Sequence, residues 1–188
     1  VSKYRMFLEI TNLKINLDSK KILDQTPIKK LFLLNDYEAA AYGLLNLNKK
    51  DVIQINKVGQ KEKKTIAIIG AGTGLGQSFL VYNQNEYTAY PSEGGHGDFA
   101  VQNHDELDLI NFIKNKRNKK SNVEWENLVS GTGIQNIYRF LEKKDKQTKY
   151  SLLIKKNKYD PILISKCKNK DLISKKTFEL FSIFFARY

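Results

Sequence analysis

Residues 66–78, Ile66-Ala-Ile-Ile-Gly70-Ala-Gly72-Thr73-Gly74-Leu-Gly76-Gln-Ser78, constrain this chain more than any other stretch. Apolar residues rich in isoleucine lead in, and four glycines stand at every second position. Phe79-Leu80-Val81-Tyr82 then leads out as a second strand. Glycines let backbone N–H groups approach a phosphate and adopt angles closed to other residues. The stretch therefore reads as a phosphate-holding hairpin with the Thr73 hydroxyl as an added donor, or else as an ordinary Gly-rich turn. A Walker A loop would end in Gly-Lys-Ser/Thr, and no lysine follows here. A dinucleotide fingerprint would be Gly-x-Gly-x-x-Gly opening a helix. Here the spacing is Gly-x-Gly-x-Gly-x-Gly and a strand follows.

The 188 residues can form one sizeable core or pieces of two domains. A formal net charge of +12 invites a nucleic-acid reading. The charge is almost all lysine, however. Only Arg5, Arg117, Arg139 and Arg187 are arginines, the residue that makes most base contacts. The lysines are scattered and read as a solvated coat, with some attraction for anionic nucleotides. One cysteine, Cys167, and two histidines, His96 and His104, assemble neither a disulfide framework nor a Cys/His zinc site. That fits a cytoplasmic setting. No apolar run approaches the ~20 residues of a membrane span, and no secretory signal is visible. The chain begins at Val1 and ends in an aromatic run, Thr177 to Tyr188, without a capping glycine. A fragment lacking material at both ends is expected.

In chain order, Phe7–Ile10 reads as a short strand and 17–23 as a short amphipathic segment. Leu31-Phe32-Leu33-Leu34 is a compact apolar run of the kind expected for a buried strand. Asn35-Asp36 follows, and 37–45 looks helical. These two residues thus sit between a strand and a helix, where open α/β sheets bind ligands. Asp36 either caps that helix or faces a ligand. Residues 46–64 read as a connector, with a domain boundary near residue 46.

Glu93-Gly94-Gly95-His96-Gly97-Asp98 gathers three titratable side chains on a glycine-rich turn. Carboxylates and a neutral imidazole suit a polyhydroxylated ligand; a solvated surface turn is the alternative. Helices are expected over 105–116, from 123 to 129, and after Gly133, where Ile134, Ile137, Tyr138 and Leu141 keep helical spacing. Residues 142–157 read as exposed. Asp160-Pro161 opens a helix. The last helix carries an apolar face of Phe178, Phe181 and Phe185 with Leu180 and Phe184.

Four segments stand in order: Leu34-Asn35-Asp36-Tyr37, Gly70 to Gly76, Glu93 to Phe99, and Glu126-Asn127-Leu128-Val129-Ser130-Gly131. Together they closely resemble the bacterial-type glucokinase family, over nearly the whole chain. The resemblance implies a ribonuclease-H-like/actin-like ATPase fold, an α/β two-domain sugar kinase, here incomplete. Residues 1–46 would be the C-terminal part of the small α/β domain, and 47–188 a truncated large α+β domain. It implies phosphorylation of the glucose 6-hydroxyl by ATP, with Mg²⁺ arriving on the nucleotide. Asp36 matches the general base, and Asn35, Glu93, His96 and Glu126 match sugar contacts. Gly70, Gly72, Thr73, Gly74 and Gly76 match the loop on the terminal phosphates. No resident metal, nucleic acid or membrane partner is implied, and a homodimer stays open.

Departures from the family pattern also count. The opening Asp-x-Gly-Gly-Thr motif and the late glycine-rich adenosine segment do not occur in these residues. Thr132 stands where proline is common, and Ile15 where tryptophan is common. The isolated chain is therefore expected not to catalyse. A non-catalytic sugar sensor of the same fold is the second reading, and retention of both Asp36 and Thr73 argues against it. A related zinc-loop branch of repressors and sugar kinases is disfavoured by the single cysteine.

Overall fold

The computed structural model describes residues 7–10, 15–56, 63–116 and 122–188. Contacts divide the chain into two compact units, Val1–Gly59 and Gln60–Tyr188. The first unit thus includes most of the connector beyond residue 46.

In the first unit, β1 (Phe7–Ile10) pairs antiparallel with β2 (Ile15–Asp18). Asp18 then caps α1 (Ser19–Gln25), its side chain accepting from Lys20 N at 3.0 Å. The second helix, α2 (Asp36–Leu44), begins with a capping box. Asn35 Oδ1 accepts from Tyr37 N at 2.8 Å, and Glu38 Oε2 accepts from Asn35 N at 3.3 Å. This satisfies donors that a helix start leaves without intrahelical partners. The apolar run 31–34 is not a strand. No described strand lies beside it to complete a ladder, and Phe32 is left 72% exposed.

The second unit opens with an antiparallel meander of β3 (Ile66–Ala71), β4 (Leu75–Asn83) and β5 (Glu86–Ser92), with β4 central. The β4–β5 turn has two residues, Gln84 and Asn85, at φ 46° and 66°. Positive φ at both positions matches the right-handed twist of the flanking strands. A 3₁₀ turn (Gly94–His96), α3 (His104–Lys116) and a 3₁₀ turn (Trp125–Asn127) follow. Helices α4 (Gly131–Lys144), α5 (Lys149–Lys156), α6 (Pro161–Cys167) and α7 (Leu172–Arg187) complete the unit.

Three sequence expectations change here. The helix expected over 123–129 is a single 3₁₀ turn, entered by an isolated bridge between Asp98 and Glu124. Residues 142–157 are not all exposed: α5 buries Ser151 and Ile154. The most buried face of α7 runs through Ile173, Ser174, Thr177 and Phe184, while Phe185 is exposed. Short polar side chains at 174 and 177 let α7 approach its neighbours closely, and the Thr177 hydroxyl is satisfied by Ile173 O at 2.8 Å.

Leu75, Phe99, Leu109, Ile113, Leu128, Ile137 and Phe184 form the main core. A second cluster of Tyr138, Ile154, Tyr159, Ile164, Cys167 and Ile173 lies between α4 and the last three helices. Arg187 ties the end of α7 to the start of α3. Its guanidinium donates to both Glu106 oxygens, at 2.8 and 3.2 Å, and lies over the Phe99 ring at 4.6 Å. Burial works to raise the pKa of Glu106, but the Arg187 and Gln102 hydrogen bonds outweigh it and the net shift is downward. Among the described residues no helix is long and apolar enough to cross a membrane.

Candidate functional site

The glycine stretch folds as a hairpin. Ala71 and Leu75 form its last strand pair, leaving Gly72, Thr73 and Gly74 as the tip. Gly72 N donates to Gly74 O at 2.8 Å, and Gly131 N, at the start of α4, donates to Gly72 O at 2.9 Å. Leu75 N donates to Glu126 Oε2 at 3.0 Å. Thr73 is exposed at the tip. No described glycine has positive φ, so special backbone angles are not the reason for glycine here. Close approach is. A Cβ at Gly74 would stand 2.5 Å from Glu126 Oε2. A Cβ at Gly72 would meet nothing within 4 Å. The protein itself makes no demand for glycine at 72, and that side of the loop is open.

The second turn packs beside the hairpin. A Cβ on buried Gly95 would run into Leu75 O, and one on Gly94 into Gln77 Oε1. His96 Nδ1 lies 2.9 Å from Glu124 Oε2, and its Nε2 lies 3.8 Å from Glu93 Oε2. The Glu124 hydrogen bond raises the His96 pKa above its ordinary value, with smaller help from the charges of Glu126, Glu124 and Glu93. The sign follows directly. The charged pair is complete below the ordinary imidazole value and is lost as pH rises through the elevated one. An NMR titration of His96 should therefore give a midpoint above about 6.5, falling towards that value in Glu124→Gln. An unchanged midpoint would remove Glu124 as the cause.

Glu126 is held by the segment that follows it. Ser130 Oγ donates to Glu126 O at 2.7 Å and accepts from Gly133 N at 3.0 Å, capping α4. A Cβ on Gly133 would overlap the Leu128 backbone. Asn127 Oδ1 accepts from Glu124 N at 3.1 Å, and Asn136 Nδ2 donates to Asn127 O at 3.0 Å. One connected turn thus carries Glu124 and Glu126 against the hairpin.

The second unit therefore brings together Gly70, Gly72, Thr73, Gly74, Gly76, Glu93, His96 and Glu126. Glu126 lies on a 3₁₀ turn rather than the expected helix, and its carboxylate bonds the hairpin. Asn35 and Asp36 belong to the first unit. There Asn35 is the cap, and Asp36 is the first helical residue, with Oδ1 accepting from Tyr37 N at 2.9 Å. Sequence reasoning missed Glu124. No local pattern marked it, because its role rests on a contact with His96 across 28 positions.

A glycine-tipped hairpin joined to a carboxylate and imidazole cluster sits in a mixed arrangement of antiparallel sheet and helices that is an α/β sugar-kinase fold. The solved glucokinase of an Antarctic psychrotroph shares it, with TM-score 0.72 and 23% identity over 95% of this chain and 53% of that one. A glucokinase from Balamuthia mandrillaris, solved in complex with glucose, matches with TM-score 0.58 and 23% identity over 68% of this chain and 36% of that one. The glucokinase of Nostoc sp. (strain PCC 7120 / SAG 25.82 / UTEX 2576) is 42% identical over 133 residues, 71% of this chain and 39% of the relative. The glucokinase family model matches residues 5–188, and the chain belongs to the glucokinase family. It spans about two fifths of the length of the curated relatives it matches.

Proposed function

We propose that the full-length protein transfers the terminal phosphoryl group of ATP to the 6-hydroxyl of glucose in the cytoplasm. The observation that carries this reading is the bond from Leu75 N to Glu126 Oε2. It ties the hairpin to the polar cluster, which supports reading the two as one site. The glucose-bound relative of the same fold supports the choice of sugar.

In this reading Asp36 takes the proton of the 6-hydroxyl as that oxygen attacks the terminal phosphorus. The new O–P bond forms, the bond to the β-phosphate oxygen breaks, and ADP leaves. Phosphoryl transfer is chiefly positioning and charge stabilisation. The Asn35 Oδ1 is taken up by capping, which leaves its amide group to donate to a sugar hydroxyl. Glu93 and Glu126 accept from hydroxyls. With its Nδ1–H donating to Glu124, His96 offers Nε2 to a hydroxyl, as acceptor when the ring is neutral and as donor when it is charged. The Gly72–Gly74 backbone and the Thr73 hydroxyl hold the terminal phosphates. Mg²⁺ bound to ATP would neutralise charge on those phosphates.

Gly72→Ala tests the hairpin. An added methyl meets no protein atom, so the melting temperature should stay level or rise slightly. The methyl would stand where phosphate approaches, and the KM for ATP should rise about tenfold or more, as expected from loss of a charge-assisted hydrogen bond. An unchanged KM for ATP would remove the hairpin from the nucleotide site.

A further inference from the structure

The far end of α4 frames a second site. Gly131, at its start, contacts the hairpin, whereas Arg139 and Lys143 lie about 12–18 Å further along the axis at 1.5 Å per residue. There α3, α4 and α5 enclose a cavity of about 630 Å³, within the size range of small-molecule sites. Four cations line it: Lys116, Arg139, Lys143 and Lys155. Among the described residues none of the four is ion-paired. Lys116 Nζ donates to Asn136 Oδ1 at 3.3 Å, and Arg139 lies over the Tyr159 ring at 4.3 Å. Lys143 lies over Phe112 at 4.8 Å. Among the described residues, Glu142 is the one carboxylate lining the cavity. Its Oε2 accepts from Tyr159 OH at 2.8 Å, and its buried Oε1 has no partner.

We propose that this cavity binds a phosphate ester. The phosphoryl group lies among the four cations, and the carbon body rests on Phe112 and Tyr159. Each part meets an unfilled need. Four cations gathered around one carboxylate leave excess positive charge, and a dianion offsets it. Guanidinium and phosphate match in geometry and form strong paired hydrogen bonds. Burial, and then the Arg139 charge, already lower the Lys116 pKa, a shift that a bound anion would reverse. None of this depends on the sugar-kinase reading.

Calorimetric titration of sorbitol 6-phosphate into the full-length protein, held at saturating glucose, tests the proposal. One saturable site is expected. Arg139→Gln should weaken it about tenfold or more, and Lys155→Gln, on an exposed lysine, by several-fold. Glu142→Gln, which removes the carboxylate from the lining, should tighten both sorbitol 6-phosphate and inorganic phosphate. Lys166→Gln, the same charge change outside the cavity, should do nothing. Absence of saturation up to about 10 mM, far weaker than a built site, would overturn the proposal. So would equal losses in Lys166→Gln and Lys155→Gln, which would mean general surface charge. Loss in Thr73→Val with none in Arg139→Gln would place the anion on the hairpin instead. If Arg139→Gln fails to fold, Lys155→Gln and Glu142→Gln decide the matter.

Discussion

Asp36→Asn in the full-length protein should lower kcat by about 10²–10⁴-fold, the usual contribution of a positioned general base. Glucose binding should change no more than a few-fold. The structure explains why the two effects separate. Helix α2 is capped by Asn35 and Glu38, not by Asp36. The Asp36 carboxylate accepts from Tyr37 N through Oδ1, and an asparagine carbonyl oxygen can accept there in its place. The exchange keeps shape and local hydrogen bonding and removes the negative charge together with the ability to take a proton. Loss of glucose binding with normal turnover in the bound enzyme would contradict the assignment. So would an unchanged kcat.

Asp171→Ala should be the most damaging substitution in the helical part of the second unit. Asp171 is buried and caps α7, Oδ2 accepting from Ser174 N at 2.9 Å and Ser174 Oγ at 2.8 Å. The same carboxylate accepts from Thr148 Oγ1 at 2.9 Å and Tyr138 OH at 3.3 Å. It therefore joins α4, the cap of α5 and the start of α7. Burial and the nearby Asp171 charge push the Tyr138 hydroxyl far above its ordinary pKa, so it remains a donor at any working pH. Alanine removes a helix cap and strands several buried donors at once. The expected loss is about 3–5 kcal/mol, from a lost cap of about 1 kcal/mol and buried donors left unsatisfied at about 1–3 kcal/mol each. Urea unfolding of the full-length protein measures it. Asp171→Asn, which keeps one acceptor, should cost clearly less. A loss below about 1 kcal/mol, no more than an ordinary cap, would mean that the network adds nothing.

Much of this was legible in the chain because local chemistry and tertiary structure agree. Glycines bounded by β-branched and apolar runs made the hairpin readable. Asp160-Pro161 and the spacing of Ile134, Ile137, Tyr138 and Leu141 made two helices readable. The misreadings have a common physical origin. Whether 31–34 forms a strand depends on a partner strand, and no local pattern supplies one. Residues 123–129 carry helical residue types, but the bridge to Asp98 and the bond from Trp125 N to Gly97 O hold the backbone extended into the 3₁₀ turn. The aromatic count of α7 drew attention to its phenylalanines, while close packing selected Ser174 and Thr177. Candidate site residues on glycine-rich turns stood out by composition. Glu124 did not, because its role rests on a contact with His96 across 28 positions.

The most direct test of the central claim is a hexose panel with ATP on the full-length protein, detecting sugar 6-phosphate. The account predicts turnover selective for glucose that vanishes in Asp36→Asn. Glucose binding without turnover on any hexose would contradict it, leaving a sugar-binding protein whose glycine hairpin no longer serves phosphate transfer.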